Sequence, residues 1–149
     1  MGYQAELTTI TDGSGEPASV VLKADRLHLV WKTLKAGEKD CGGHLSWCAP
    51  ISTYEEAGLS MSHSIADLFE QYGFDGEHVE LSGGDIHLGW WGGDKIGLSF
   101  QTFMRAISVG IDPTEEIRTF WNGEDGDMWA IRHHNQDATS HSVTIGIEL

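Results

Sequence analysis

The sequence predicts an α+β fold: one mainly antiparallel sheet packed with about four short helices. Three observations predict it. Strand-like segments come in hairpin-like clusters and do not alternate singly with helices. Stretches of helical period stand between those clusters. The turn "GGD" occurs at residues 83–85 and again at 92–94, the close spacing that a meander of short antiparallel strands needs. The 149 residues suit a single domain, expected to span residues 1–149 because no linker-like segment divides them.

Tyr3, Ala5 and Leu7 alternate with Gln4, Glu6 and Thr8, the pattern of a half-buried strand over residues 3–11. "DGSGEP" is a turn, and "ASVVLK" is a second strand, expected to hairpin with the first. In "ADRLHLVWKTLKAG", Leu27, Val30, Trp31 and Leu34 recur at helical spacing, with Asp25 placed to cap the start and Gly37 the end. Residues 37–59 read as irregular. "SHSIADLFEQYG" carries the strongest helix signal: Ile65, Leu68, Phe69 and Tyr72 form one stripe, Ser62 or Ser64 can cap it, and Gly73 closes it. Residues 78–100 read as a meander. Phe100, Phe103, Met104 and Ile107 mark a helix capped by Ser99 and ended by Gly110. "DPTEEIRTFWNG" places Asp112 at an N-cap, Pro113 at the first helical position and Glu115 in a capping box. It predicts a further helix burying Ile117, Phe120 and Trp121. "GEDGD" is a turn, and residues 128–133 and 142–148 read as a closing pair of strands.

Charge is distributed unevenly. The formal net charge is −14. Residues 1–51 hold six acids and five bases, and residues 95–149 hold eight and four; residues 52–94 hold nine acids and no Lys or Arg. Such a field repels nucleic acid and acidic membranes, and it attracts a basic protein surface. No segment approaches the ~18 apolar residues of a membrane span. The start lacks the pattern of a signal peptide, so a cytoplasmic location and reduced cysteines are expected.

"KDCGGHLSWCAP" contains both cysteines of the chain and a histidine. Cys41, His44 and Cys48 offer the ligand types that zinc prefers, and Gly42 and Gly43 would let the backbone fold round an ion. The set lacks an evident fourth ligand. A Cys–His nucleophile pair lacks a third group to orient the base. The favoured reading is a loop whose Leu45, Trp47 and Cys48 pack inward. Asp85 and His87 share a strand face, as an acid and base would, and as two exposed polar residues also would. "NGEDGD" fails the calcium-loop spacing, and the glycine doublets fail that of phosphate loops. No catalytic residue and no cofactor is therefore assigned.

Trp90 and Trp91 would point to opposite faces of a strand, and Trp91 is assigned as the outward one, an aromatic anchor with an acidic rim. The expected partner-binding surface comprises Glu55, Glu56, Asp67, Glu70, Asp75, Glu77, Glu80, Asp85, Trp91 and Asp94. The "MGY" start leading into a strand and the late "GEDGDMWAI" hairpin, about two dozen residues in all, resemble features of small uncharacterised phage and actinobacterial proteins. That resemblance implies a phage accessory protein acting by binding and blocking another protein. The expected function is thus a non-enzymatic acidic module docking a basic protein surface. The alternative is a small zinc-dependent or cysteine enzyme using Cys41, His44 and Cys48.

Overall fold

The computed structural model describes residues 3–74, 80–82, 84–89, 91, 95–96, 99–134 and 137–142. In chain order the elements are β1 (Tyr3–Asp12), β2 (Val20–Leu22), α1 (Leu27–Asp40), α2 (Ile51–Glu56) and α3 (Met61–Tyr72). They continue with β3 (Glu80–Ser82), β4 (Asp85–Leu88), β5 (Lys95–Ile96), α4 (Phe100–Gly110), β6 (Ile117–Gly123), β7 (Met128–His134) and β8 (Asp137–Ser142). The larger sheet has the order β5-β1-β6-β7-β8, the smaller β2-β4-β3, and the described pairings are all antiparallel. The architecture is the expected α+β.

β1 starts as its alternation predicts, with Ala5 and Leu7 buried and Glu6 exposed. A bulge between Leu7 and Thr9 then shifts its register against β6, so that Ile10 also reaches the core. The sequence leads one to expect a β1–β2 hairpin, but β2 pairs with β4 instead. Asp12 Oδ1 accepts from the amides of Ser14 and Glu16 and from the Ser14 hydroxyl, folding the turn tightly. Beyond a single bridge between Thr11 and Pro17 the chain leaves for the smaller sheet. There Val20 and Leu22 are buried opposite Leu88 and Ile86.

α1 buries Leu27, Val30 and Leu34. Its start is not capped by Asp25. A single 3-10 turn over Ala24–Arg26 precedes it, and the Ala24 amide donates to Asp85 Oδ1 at 2.7 Å. Nor does the helix end at Gly37. It runs on to Asp40, and Gly37 is where α4 crosses: a Cβ there would lie 2.1 Å from Thr102 Cγ2. Residues 51–56, expected to be irregular, form α2, whose first amide donates to Glu38 Oε2 at 2.7 Å. α3 keeps its predicted stripe of Ile65, Leu68, Phe69 and Tyr72, but the capping hydroxyl is that of Ser60, which accepts from the His63 amide.

The largest correction concerns "DPTEEIRTFWNG", which forms no helix. Asp112 Oδ1 accepts from the Thr114 amide at 2.9 Å and hydroxyl at 2.7 Å, a local turn with the same side-chain bond a cap would make. The chain then enters β6, where Ile117, Thr119 and Trp121 are buried in strict alternation. β8 begins at Asp137, earlier than expected, and Val143, Ile145 and Ile147 lie outside the described residues.

α4 is buried over most of its surface, including Phe103, Met104 and every residue from 106 to 110. It packs on α1 on one side and on β7 and β8 on the other. A buried polar chain ties it to the sheet. Ser108 Oγ donates to Met104 O at 3.0 Å, leaving its lone pairs to His133 Nδ1 at 2.7 Å. His133 Nε2 lies 3.1 Å from Thr119 Oγ1, which in turn accepts from Trp121 Nε1 at 3.0 Å. Because Ser108 gives its proton to Met104 O, and Met104 O also lies 3.2 Å from Nδ1, the ring proton sits on Nδ1. Burial keeps the ring neutral, so Nε2 accepts from the Thr119 hydroxyl.

Two predictions follow from this packing. Gly37→Ala gains helix propensity but forces α1 off Thr102; a net loss of about 1–3 kcal/mol is expected in chemical denaturation. Burial also holds the pKa of His133 down to about 4. The unfolded chain thus takes up this proton first as pH falls. Stability is full above about pH 6.5 and declines toward pH 4, by about 3 kcal/mol from this group. Urea titrations across that range should show the decline, and His133→Gln should lose this component of the slope even if it is less stable at pH 7.

Candidate functional site

The loop of residues 41–50 positions an exposed aromatic, Trp47. Three residues in it take positive φ: Gly42 at 80°, Gly43 at 99° and, unusually for a residue with a Cβ, Ser46 at 52°. These reversals set the side chains that follow. Leu45 and Cys48 enter the core, as expected, but Trp47 does not pack inward: it is 49% exposed. Its inner face stacks on Tyr72 at 5.3 Å and 13°, and its indole N–H donates to Gln71 O at 2.5 Å. The Ala49 amide donates to Gln71 Oε1 at 2.8 Å, so the loop is pinned to the last turn of α3 from two sides.

The same loop places the expected zinc ligands in different environments. His44 is exposed. Cys48 is buried, with its sulfur 3.8 Å from Leu68 O, whereas Cys41 is half-buried and accepts from Ser99 Oγ at 3.7 Å. Cys48 is a free thiol, and the described residues contain no group of three His, Cys, Asp or Glu side chains arranged to hold a metal ion. Burial, and secondarily the Asp67 charge, push the Cys48 thiol up to about 12. A thiol so placed is a core hydrophobe at neutral pH and a poor nucleophile.

The acidic residues divide by their partners. Asp85 accepts from Ala24 N and from Lys23 Nζ at 2.9 Å, and these bonds hold its carboxyl below the usual range. Asp67 accepts from Tyr54 Oη at 2.5 Å and from Gln71 Nε2 at 2.8 Å. It serves to fasten α2 to α3. Burial, followed by the bond to Asp67, raises the pKa of Tyr54. Glu55 pairs with Lys35 at 3.1 Å in an exposed salt bridge. Glu56 and Glu70 are exposed and form no ion pair among the described residues. Glu80 lies on β3, and Asp75, Glu77, Asp94 and Trp90 lie outside the described residues.

Trp91 is not the surface anchor expected from sequence. It is 2% exposed and packs against Tyr72 at 6.1 Å and Trp121 at 5.5 Å. An isolated antiparallel bridge joins its backbone to that of Phe74. The exposed tryptophan is instead Trp47, whose exposure nothing in sequence marked, because its neighbours Leu45 and Cys48 are as apolar as it is.

A Ser–His contact of 2.7 Å exists between Ser108 and His133, but its hydroxyl proton is committed to Met104 O and both residues are buried. It is a structural bond. A wide groove of about 600 Å³ runs beside the turn after β1, lined by Asp12, Ser14, Ser19, Glu115 and Glu116 among others. Its Glu116 carboxylate is bound by both Arg118 and Arg132, so it is not a free charge. No helix among the described residues is long and apolar enough to cross a membrane. No protein-family model, curated protein sequence or solved structure matches the chain.

The thiol geometry is checked by alkylation. Cys48 should resist iodoacetamide at pH 8, with roughly one thiol in ten thousand ionised, until the protein is unfolded. Because its folded pKa is raised, stability should also fall as pH rises through about 9, where the unfolded thiol ionises first.

Proposed function

We propose that the chain is an acidic, non-enzymatic binding module that docks a basic surface of another protein in the cytoplasm. The partner class that suits it is a nucleic-acid-processing or toxin-like protein, whose own substrate site is basic. Blocking such a site is how a phage-type accessory or inhibitor protein would act. The observation that carries the reading is the pair Glu56 and Glu70, exposed on α2 and α3 without an ion pair among the described residues, within a 43-residue stretch free of Lys and Arg. Charges placed this way raise the association rate with a cationic surface and cost little when exposed. The acids that do have partners, Glu55, Asp67 and Asp85, contribute to the long-range field while holding the fold.

Zinc or cysteine chemistry at Cys41, His44 and Cys48 is the competing reading. It would require Cys48 to leave the core. Elemental analysis of the purified protein and titration of its thiols decide it.

The binding reading predicts a strong salt dependence. A complex formed at about 50 mM salt should weaken at least tenfold at about 500 mM, where the Debye length shrinks to a few ångströms. Glu56→Lys combined with Glu70→Lys should slow association at low salt by about tenfold or more without unfolding the chain. A complex indifferent to both changes contradicts the reading.

A further inference from the structure

The aromatic rings near α3 form an ordered column. Phe103 of α4 lies in the core; Tyr72 stacks on it at 4.0 Å and 5°; Trp47 stacks on Tyr72 at 5.3 Å and 13°. Phe103 and Tyr72 are fully buried, whereas Trp47 is 49% exposed. With one indole face covered by Tyr72, that exposure belongs largely to the other face. The column therefore runs from core to solvent and ends on an uncovered flat ring.

Three features indicate that this end is built to receive something. The indole cannot swing away, because its N–H is held by Gln71 O and its inner face by Tyr72. A rigid half-exposed aromatic loses little freedom on binding. The residue before it, Ser46, adopts a φ of 52°, a conformation that a residue with a Cβ rarely takes. The last turn of α3, which receives the indole N–H, contains no basic residue to offset the negative end of its dipole.

We propose that the open face of Trp47 receives an arginine side chain presented by the basic partner, an inference that rests on the acidic-module reading above. A guanidinium is planar, so it adds a further layer to a parallel stack. It is weakly hydrated, so it leaves water readily, and its charge is attracted by the indole face and by a chain of net charge −14. A nucleobase is also flat but carries phosphate, which the same charge repels.

The test uses the full chain labelled with 15N, in which Trp47→Phe assigns the Trp47 indole N–H signal. Hexa-arginine, hexa-lysine, hexa-citrulline and a six-nucleotide oligothymidine are the probes. Hexa-arginine should move the Trp47 signal and bind at least about threefold more tightly than hexa-lysine. Hexa-citrulline, planar but neutral, and the oligonucleotide should not move it. Trp47→Phe should remain folded by its amide spectrum and bind hexa-arginine severalfold more weakly. If hexa-arginine shifts the Glu70 amide but not the Trp47 indole, the arginine site is overturned and the acidic-module reading survives. Equal binding of lysine, or a Trp47 shift with the oligonucleotide, also overturns it. No shift anywhere with hexa-arginine at millimolar concentration sinks both ideas together.

Discussion

The structure depends on the burial of α4. A helix apolar over most of its circumference is stable only if it is covered on most sides. Here α1 covers one flank, crossing at Gly37, and β7 and β8 cover another. β2 reaches its end, where a Cβ on Gly110 would meet Leu22 and Val30 at 2.7 Å. α1 and β2 approach at glycines, α3 approaches through the rings of Phe69 and Tyr72 on Phe103, and β7 approaches through a polar bond. The His133 chain is that polar junction: it satisfies an imidazole, two hydroxyls and an indole N–H in a place that water does not reach.

That burial supports the surface outside it. Phe103, on α4, sets the plane of Tyr72, and Tyr72 sets the plane of Trp47. The loop of residues 41–50 then needs only its three positive-φ residues and two bonds to Gln71 to hold the indole in place. Gln71 also binds Tyr54 and Asp67, so α2 and the loop are fastened at one residue. The acidic side chains left over, Glu56 and Glu70, face solvent from a rigid support rather than from a flexible tail.

Much of the fold was legible in sequence because most elements bury one regular stripe. The stripes of α1, α3 and α4 and the alternation at the start of β1 were all visible. What was missed shares a physical cause: a polar group placed inside, or a partner distant in sequence. In β6 the inward residues are Ile117, Thr119 and Trp121. Thr119 is buried because His133 and Trp121 bond it, so the strand's apolar alternation was interrupted and the local cap signal at Asp112 prevailed. Asp85 accepts from the 3-10 turn that precedes α1, and Glu38 from the first amide of α2, pairings across the chain that no local rule associates with those segments. The sequence marks β2 as a strand but not its partner β4, about 66 residues away. The candidate site was legible in its charge and not in its aromatic. Trp91 looked exposed because a strand alternates, and Trp47 looked buried because its neighbours are apolar.

The central claim is that a cation from a partner lies on the open face of Trp47. Ring currents test it most directly. In a bound arginine peptide, the δ-methylene protons should shift strongly upfield with the wild-type chain, and this shift should vanish with Trp47→Leu while the peptide remains in excess at low salt. Unshifted δ-methylene protons on the wild-type chain, under conditions where the peptide is bound, would contradict the account.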